Sequence, residues 1–272
     1  MVVETFHNNP KAFCDTAFPF LMKAEAENNL LIGISSGFAA ATLQAGAGEK
    51  FFWVVRDGAA ISGAAMWTPP HDLVLSHPFA DSSLAVLAQS LLEARLPLPG
   101  LLGPDYAARE FAGMWTAAMG LTADLWRRER VYRLDRVEIL PLSPGRLVLA
   151  EPNHRAVLLP LMKDSPDTVA LLDGFISEGR LYLWWDEGPV SRAAWTGPTP
   201  HGVRITGVYT PPELRRRGYA TAAVSTLSSL LLRQGKSFCV LYTDLSNPIS
   251  NSIYQRIGYK PILDCYHYRF IS

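Results

Sequence analysis

Three consecutive arginines and a glycine, residues 215–218, stand between a strand pattern and a helix pattern. The preceding VRITGVYT is rich in β-branched residues, which favour strands, and two prolines end it. After the glycine, apolar residues recur at helical spacing from Ala220 to Leu231, and Gly235 can end the helix. The order strand, short basic turn, helix restricts this part of the chain to an α/β arrangement.

The arginine cluster has two interpretations. Because like charges repel, a solvated basic loop is the simpler one and needs no ligand. The other is an anion site, since the free N–H groups and the positive dipole end of a helix N-terminus attract negative charge. Gly218 has no Cβ to obstruct an anion, and arginines add charge-assisted hydrogen bonds that suit a pyrophosphate. Neither a P-loop motif nor G-x-G-x-x-G occurs here.

A second strand and helix follow this segment. FCVLYT is a buried strand pattern, and Asn247 and Pro248 suit the N-cap and first position of a helix that ends at Gly258. Isoleucines at every fourth position form the predicted packing face: Ile249, Ile253 and Ile257. Polar side chains at i, i+3 and i+7 share a different face: Asn247, Ser250 and Tyr254. Such a face suits plain solvent exposure, although a tyrosine is an unusual choice for it.

Composition limits the class of protein. The 272 residues carry 25 basic and 25 acidic side chains, so no overall field steers the chain onto nucleic acid. Cys14, Cys239 and Cys265 are far apart, which argues against a disulfide framework and against a metal site. The N-terminus lacks a signal-peptide pattern, and the apolar run from Leu30 is too short to span a bilayer. We therefore expect a cytoplasmic protein without a membrane or nucleic-acid partner.

The chain length allows two domains or one large α/β domain. Two hairpin patterns, FFWVVRDGAAISGAAMW and LYLWWDEGPVSRAAW, share an apolar strand, an acidic-Gly turn and a Ser-x-Ala-Ala return. This similarity alone is weak evidence for duplication. The breaker-rich segment from Pro141 to Asn153 suggests a boundary, followed by a helical pattern over residues 158–179. We predict a first domain over residues 1–140 and a second one over residues 147–272.

The two strand–helix segments together resemble the GNAT superfamily of N-acetyltransferases. V-Y-T-P-P-E-L-R-R-R-G-Y-A-T is similar to its R/Q-x-x-G-x-G/A acyl-CoA signature, and N-P-I-S-N-S-I-Y-Q-R-I-G-Y to its N-x-x-[AS]-x-x-x-Y-x-x-x-G-[FY] segment. The resemblance covers roughly residues 147–270. The first half has no such signature, so it is either a degenerate second copy or an unrelated domain. The resemblance implies an α/β (α+β) fold, with a mixed, largely antiparallel sheet flanked by helices and two GNAT-like units in tandem.

The resemblance also implies a reaction and the residues that serve it. An acetyl group would move from acetyl-CoA, the acyl-donor cosubstrate, to an amine of a small molecule or peptide, without a metal. Backbone groups of the strand would hold the pantetheine arm, at Val208, Tyr209 and Thr210. The pyrophosphate would lie against the turn and the first helical residues: Arg215, Arg216, Arg217, Gly218, Tyr219, Ala220 and Thr221. Asn247 and Ser250 would contact the pantetheine region, and Tyr254 would protonate the departing thiolate as a general acid.

Two of these roles have structural alternatives, because Asn247 can be a plain N-cap and Tyr254 a packed core residue. Many family members carry a carboxylate base on one of the two strands, whereas residues 203–209 contain none. The nearest titratable groups are Asp244, His201 and Tyr242. None of them stands out, and water-relayed deprotonation is an equal alternative, so the base stays unassigned. The missing carboxylate also leaves open a non-catalytic acyl-CoA-binding regulatory module, against which Tyr254 argues.

Tryptophans are the remaining candidates for an acceptor pocket. They lie on the predicted strands of the second half: Trp184, Trp185 and Trp195. Tryptophans on strands are more often part of a core.

Overall fold

A computed structural model describes residues 1–43, 48–158 and 166–272. The chain forms two compact units, and neither is one continuous stretch of sequence. The first comprises Met1–Val131, Thr243–Asn247 and Pro261–Ser272, and the second comprises Tyr132–Tyr242 and Pro248–Lys260. The domain limits inferred from the sequence stay a prediction.

The first unit contains most of the following elements in chain order. They are β1 (Val2–His7), α1 (Pro10–Leu21), α2 (Asn29–Ala39), β2 (Phe51–Asp57), β3 (Ala60–Trp67), β4 (Leu73–Leu75), α3 (Asp81–Glu93), β5 (Gly100–Pro104), α4 (Asp105–Met119) and β6 (Thr122–Leu134). The N-terminus of α1 is capped by the Asn9 side chain, which accepts a hydrogen bond from Ala12 N. Gly120 ends α4 in the left-handed conformation that favours glycine.

The remaining elements follow the same sequence of strands and helices. They are β7 (Arg146–Leu149), α5 (Arg155–Leu158), α6 (Pro166–Ser177), β8 (Leu181–Trp185), β9 (Pro189–Thr196), β10 (Gly202–Tyr209), α7 (Tyr219–Arg233), β11 (Phe238–Asp244), α8 (Pro248–Ile257) and β12 (Lys260–Ile271). In both halves a strand and two helices precede three strands, a helix, a strand, a helix and a last strand. Of the helical pattern predicted over residues 158–179, residues 159–165 lie outside the described part of the chain.

The strands of each unit are mixed and largely antiparallel, as the resemblance implies. The first unit has the order β1-β2-β3-β4-β5-β12-β6, and β4 runs parallel to β5. The second has the order β11-β10-β9-β8-β7, and β10 runs parallel to β11. Both predicted hairpins are confirmed, as β2–β3 and β8–β9. They occupy the same position in the two halves, so the similarity of their sequences reflects a repeated topology.

The last strand in sequence belongs to the first unit. β12 pairs antiparallel with β5, from Cys265 opposite Pro104 to Arg269 opposite Gly100. Its aromatic residues pack against the apolar cluster of that unit: Tyr266, Tyr268 and Phe270. These three side chains are only partly buried, so each contributes less than the roughly 1.5–3 kcal/mol of a fully buried one.

In the second unit, two apolar clusters place the helices. One joins α7 and α8 to the strands and includes Val224, Leu227 and Ile257. The other joins α5 and α6 to β8 and β9 and includes Phe175 and Leu183. In the parts of the chain that the structure covers, no helix is long and apolar enough to cross a membrane.

Candidate functional site

The parallel strands β10 and β11 separate along their length. Their register joins Gly202 to Phe238, Val203 to Cys239 and Arg204 to Val240. Both strands are described in full, and the ladder between them includes no residue of β10 beyond Arg204. Backbone groups at the carboxyl end of β10 are therefore not paired with β11. Such unpaired groups need other partners or water.

A β-bulge lies in this separated part of β10. Thr206 pairs with Ala194 and Tyr209 pairs with Arg192, so Gly207 and Val208 together face one residue of β9. Gly207 has a φ of +60°, which glycine adopts without steric cost. Because a bulge takes one residue out of the ladder, it frees a peptide group at this point.

Side chains of β9 donate hydrogen bonds to two carbonyl groups of β10, one within the bulge and one after it. The Ser191 hydroxyl donates a hydrogen bond to Tyr209 O at 2.9 Å and lies 2.8 Å from Thr210 Oγ1. Arg192 Nη1 donates to Gly207 O at 2.9 Å. Both side chains are buried, so the end of β10 is fixed from the interior.

The turn after β10 leads into α7 without a capping side chain. Gly218 is the N-cap residue, with a φ of +81°, and no side chain caps the helix. The N–H groups of a helix N-cap and first three residues have no acceptor within the helix. Here they are the N–H groups of Gly218, Tyr219, Ala220 and Thr221. Arg216 also has a positive φ, +65°, and alternation of this kind forms concave groups of N–H donors that bind anions.

The three arginines of the turn are exposed, but part of the turn is tied to the protein. Arg215 Nε donates to Thr210 O at 3.0 Å, and the Ser143 hydroxyl donates to Arg217 O at 2.5 Å. The Ser143 oxygen lies 2.5 Å from the point that a Cβ of residue 218 would occupy. Position 218 therefore favours glycine for two reasons. A side chain would collide with Ser143, and the backbone has the left-handed conformation that glycine adopts most easily.

A carboxylate stands at the same helix N-terminus. The Tyr219 hydroxyl donates to Asp186 Oδ2 at 2.8 Å, and this hydrogen bond raises the pKa of Tyr219. Arg217 acts on the pKa of Tyr219 in the opposite direction. The charge around the turn is thus mixed, because the Asp186 carboxylate and the Arg217 guanidinium both interact with Tyr219.

Tyr254 lies on α8 and is only 9% exposed. Its ring meets that of Tyr259 edge to face at 6.0 Å, within the cluster that includes Val224 and Ile257. Burial raises the pKa of Tyr254 to about 12, so the phenol keeps its proton throughout the neutral range. Asn247 directly precedes α8, and Ser250 is half-buried on its first turn.

The predicted packing face of α8 is wrong at its first residue. Ile249 is 63% exposed, whereas Ile257 is buried and Ile253 is partly buried. Tyr254 packs beside these two and does not lie on a separate polar face. The reason is that residue 257 is a helix neighbour of both residue 253 and residue 254, so the tyrosine ring joins the same apolar cluster.

Comparison with known proteins identifies the fold of this chain. Residues 185–268 match the family model described as FR47-like protein. An acetyltransferase from the GNAT family from Colwellia psychrerythraea superposes with a TM-score of 0.61 at 10% identity, over 100% of both chains. This chain has the GNAT fold. The resemblance to the GNAT superfamily is therefore confirmed.

Further GNAT structures match the whole of this chain. A GCN5-related N-acetyltransferase from Sphaerobacter thermophilus gives a TM-score of 0.61 at 16% identity, over 98% of this chain and 95% of that one. A tandem GNAT protein from the clavulanic acid biosynthesis pathway gives 0.60 at 16% identity, over 99% and 98%. The tandem match agrees with the repeated order of strands and helices. The first half is therefore a second GNAT-like unit.

Geometry removes one candidate base of the GNAT unit. His201 directly precedes β10, seven residues before Val208. At about 3.3 Å per residue it lies roughly 23 Å from the bulge, at the wrong end of the strand. Asp244 remains at the end of β11, where hydrogen bonding to Ser246 lowers the pKa of its carboxyl group and makes it a weaker base.

The tryptophans divide between core and surface. Trp184 is buried, and its Nε1 donates to Pro144 O at 2.9 Å, so it is a core residue. Trp185 packs partly buried beside His154, and Trp195 stacks under the Arg180 guanidinium at 4.9 Å.

Four polar residues that bond to β10, to the following turn or to the first residue of α7 were not predicted from the sequence: Ser143, Asp186, Ser191 and Arg192. No local pattern marks them, because each contacts a segment distant in sequence. The only available signal was the Ser-x-Ala-Ala return, which includes Ser191 and Arg192.

Proposed function

We propose that this protein is an N-acyltransferase that moves an acetyl group from acetyl-CoA to an amine of a small molecule or peptide. The observation that carries the proposal is the junction of β10 and α7. There a strand leaves its parallel neighbour, bulges, and leads into an uncapped helix N-terminus beside three exposed arginines. This combination suits a long ligand whose anionic group binds at the helix N-terminus and whose extended arm binds along the strand.

The residues of the junction fit acetyl-CoA in two parts. The N–H groups of Gly218, Tyr219, Ala220 and Thr221 would receive the pyrophosphate, with charge from Arg215, Arg216 and Arg217. Backbone groups of Val208, Tyr209 and Thr210 that are not paired with β11 would receive the amides of the pantetheine arm, with Asn247 and Ser250 as further contacts. The fit is supported by the open donors at Gly218, which the protein itself leaves without a capping side chain.

Acetyl-CoA supplies an activated acyl group, whose carbonyl carbon an amine attacks directly. A backbone N–H at the bulge, that of Val208, would stabilise the negative charge that develops on the carbonyl oxygen. Tyr254 would donate to the departing sulfur. Since its pKa is about 12, it holds its proton at neutral pH and is available as a donor. The general base is not assigned to a residue, and water-relayed deprotonation remains a candidate.

The proposal is tested by calorimetric titration with acetyl-CoA, followed by a screen of amines with a reagent that detects free thiol. We expect one acetyl-CoA per chain, and thiol release that depends on at least one amine. Dephospho-CoA and acetylpantetheine, which lack parts of the anionic region, should bind more weakly than acetyl-CoA. Absence of acetyl-CoA binding would contradict the proposal, and tight binding without thiol release from any amine would favour a non-catalytic acyl-CoA-binding module.

A further inference from the structure

Arg192 is a buried charge at the centre of the candidate site. It is 4% exposed, and it reaches from β9 to Gly207 O with a hydrogen bond of 2.9 Å. Its guanidinium also lies 5.3 Å from the centre of the Tyr209 ring. Arginine is seldom fully buried, because removal of its charge from water is costly unless its donors are bonded. The burial of Arg192 at the bulge of β10 therefore needs an explanation.

One hydrogen-bond partner of Arg192 is Gly207 O, which belongs to the peptide group between Gly207 and Val208. Gly207 C=O and Val208 N–H are two ends of one trans peptide, and they point in opposite directions. Arg192 holds the oxygen end, so it also fixes the direction of the N–H end. A Cβ at position 207 would lie 3.4 Å from Arg192 Nη1, within contact distance, and it is the φ of +60° that favours glycine there.

The bond also changes the strength of the donor. A hydrogen bond from a charged group is roughly twice as strong as one between neutral groups. In a chain of hydrogen bonds each bond polarises the next, by about 10–30% per bond. The cation on Gly207 O draws electron density towards the oxygen and makes Val208 N–H a better donor. The peptide thus transmits the charge of Arg192 to the far side of β10.

We propose that Arg192 is a positioning residue for acetyl transfer. Through Gly207 O it orients and polarises Val208 N–H against the thioester carbonyl oxygen of bound acetyl-CoA. This inference rests on the proposed function, because it needs acetyl-CoA at the bulge. It adds a residue that the GNAT resemblance does not supply.

The first unit provides an internal comparison. Its return strand has Ser62-Gly63-Ala64-Ala65 where the second unit has Ser191-Arg192-Ala193-Ala194. Glycine stands at the position of the arginine, and the Phe79 ring packs against Gly63. The unit that lacks the acyl-CoA signature thus also lacks the buried arginine, as expected if Arg192 serves the acyl group and not the fold alone.

The test uses acetyl-CoA labelled with carbon-13 at the acetyl carbonyl and reads the carbonyl stretch by infrared difference spectroscopy. In the wild type we expect a lower frequency than in free acetyl-CoA, because a strong donor polarises the bond. Arg192→Met should lose most of this displacement while the Kd for acetyl-CoA changes less than about threefold. Arg180→Met is the matched control, because Arg180 stacks on Trp195 away from the bulge, and it should keep the displacement.

Transfer to an accepted amine gives a second measure. Arg192→Met should lower kcat about tenfold with KM for acetyl-CoA nearly unchanged, less than the hundred- to thousand-fold lost with an oxyanion donor itself. If Arg192→Met does not fold, Arg192→Gln replaces it, since glutamine keeps a donor without the charge and should lose part of the displacement. A wild-type frequency and kcat in the folded variant would overturn the role of Arg192 and leave the proposed function intact. Failure of the wild type to bind acetyl-CoA would overturn the proposed function itself.

Discussion

The two units follow one topology, yet the turns that precede α3 and α7 differ in their side-chain hydrogen bonds. Between β4 and α3, His77 N donates to Asn28 Oδ1 at 2.7 Å, and Phe79 N donates to the Tyr106 hydroxyl at 2.8 Å. Ala80 N donates to Ser62 O at 2.9 Å. Neither α3 nor α7 is capped by a side chain, so the difference lies in the turn residues before each helix. In the first turn side chains accept from backbone N–H groups, whereas between β10 and α7 Arg215 donates to Thr210 O and Ser143 donates to Arg217 O.

The side chains around the two turns also differ in burial and charge. Phe79 is buried in the first turn, whereas the three arginines of the second are exposed. The seventh residue of α4 is Phe111 and the seventh residue of α8 is Tyr254, so only the second unit has a hydroxyl group there. One fold thus carries two different sets of polar groups, and the proposed ligand-binding role belongs to the second unit.

The largest expected effect comes from giving α8 of the second unit the phenylalanine that α4 of the first unit has at its seventh residue. Tyr254→Phe keeps the buried ring and removes the proton donor, so kcat should fall by about a hundredfold, at the low end of general acid contributions. The Kd for acetyl-CoA and the Tm should stay nearly unchanged. Steady-state kinetics and thermal unfolding measure both. A lower Tm with full activity per folded molecule would instead make Tyr254 a packing residue.

The pH dependence of the same step has a definite sign. With a pKa of about 12, above the usual value near 10, Tyr254 stays protonated at every pH below about 11. The profile of kcat should therefore show no decline from Tyr254 between about pH 7 and pH 10. A decline in this interval that disappears in Tyr254→Phe would contradict the buried environment of the phenol.

The next effect concerns the conformation of the second turn. Gly218→Val places a β-branched residue at a φ of +81° and its Cβ at the Ser143 oxygen. Strain of this kind is worth about 1–3 kcal/mol, so acetyl-CoA affinity should fall roughly tenfold or more. Ala80→Val is the matched control in the first turn, where the backbone is extended and suits valine. Equal affinity in the two variants would refute a binding role for the second turn.

A smaller effect is expected from one arginine of the three. Arg217→Ala removes one exposed charge of a partly redundant cluster, so the Kd for acetyl-CoA should rise only a few-fold. The increase should be greatest at low salt, because exposed charges are screened as ionic strength rises. Titrations at two salt concentrations measure this. An unchanged Kd at low salt would favour the solvated-loop interpretation of the cluster.

The last variant tests the first turn and should leave binding unchanged. The buried Asn28 side chain binds His77 N, His77 O and Leu21 O, so Asn28→Ala leaves buried polar groups without partners. The cost is about 1–3 kcal/mol, which should lower the Tm by several degrees. Acetyl-CoA should still bind once per chain with the wild-type Kd. A weaker Kd would show that the first unit takes part in binding.

Local sequence patterns predicted much of the second unit for physical reasons. β-branched runs, a glycine at the helix start and Pro248 at a first helical position act through nearby backbone geometry. They therefore gave β10, α7, β11 and α8 close to their observed limits. Ile249 was misplaced because helical spacing says which residues share a face, but not where along the helix packing begins.

Contacts across long distances in sequence could not be predicted in this way. Ser143 and Arg217 are 74 residues apart, and no local pattern relates them. Arg192 follows a serine in a strand, where alternation and charge both predict a solvent-facing side chain, but tertiary packing buries it at the bulge. Tertiary packing of this kind overrides local preference.

The pairing of β12 with β5 also determines the order in which the two units can be completed during synthesis. The first unit leaves the ribosome first, but residues 261–272, which complete it, are synthesised after all of the second unit. Until then the edge of β5 and the apolar surface that receives Tyr266, Tyr268 and Phe270 lack their partners. The second unit can therefore close before the first, and the half that is translated earlier is the one that must be kept from aggregating.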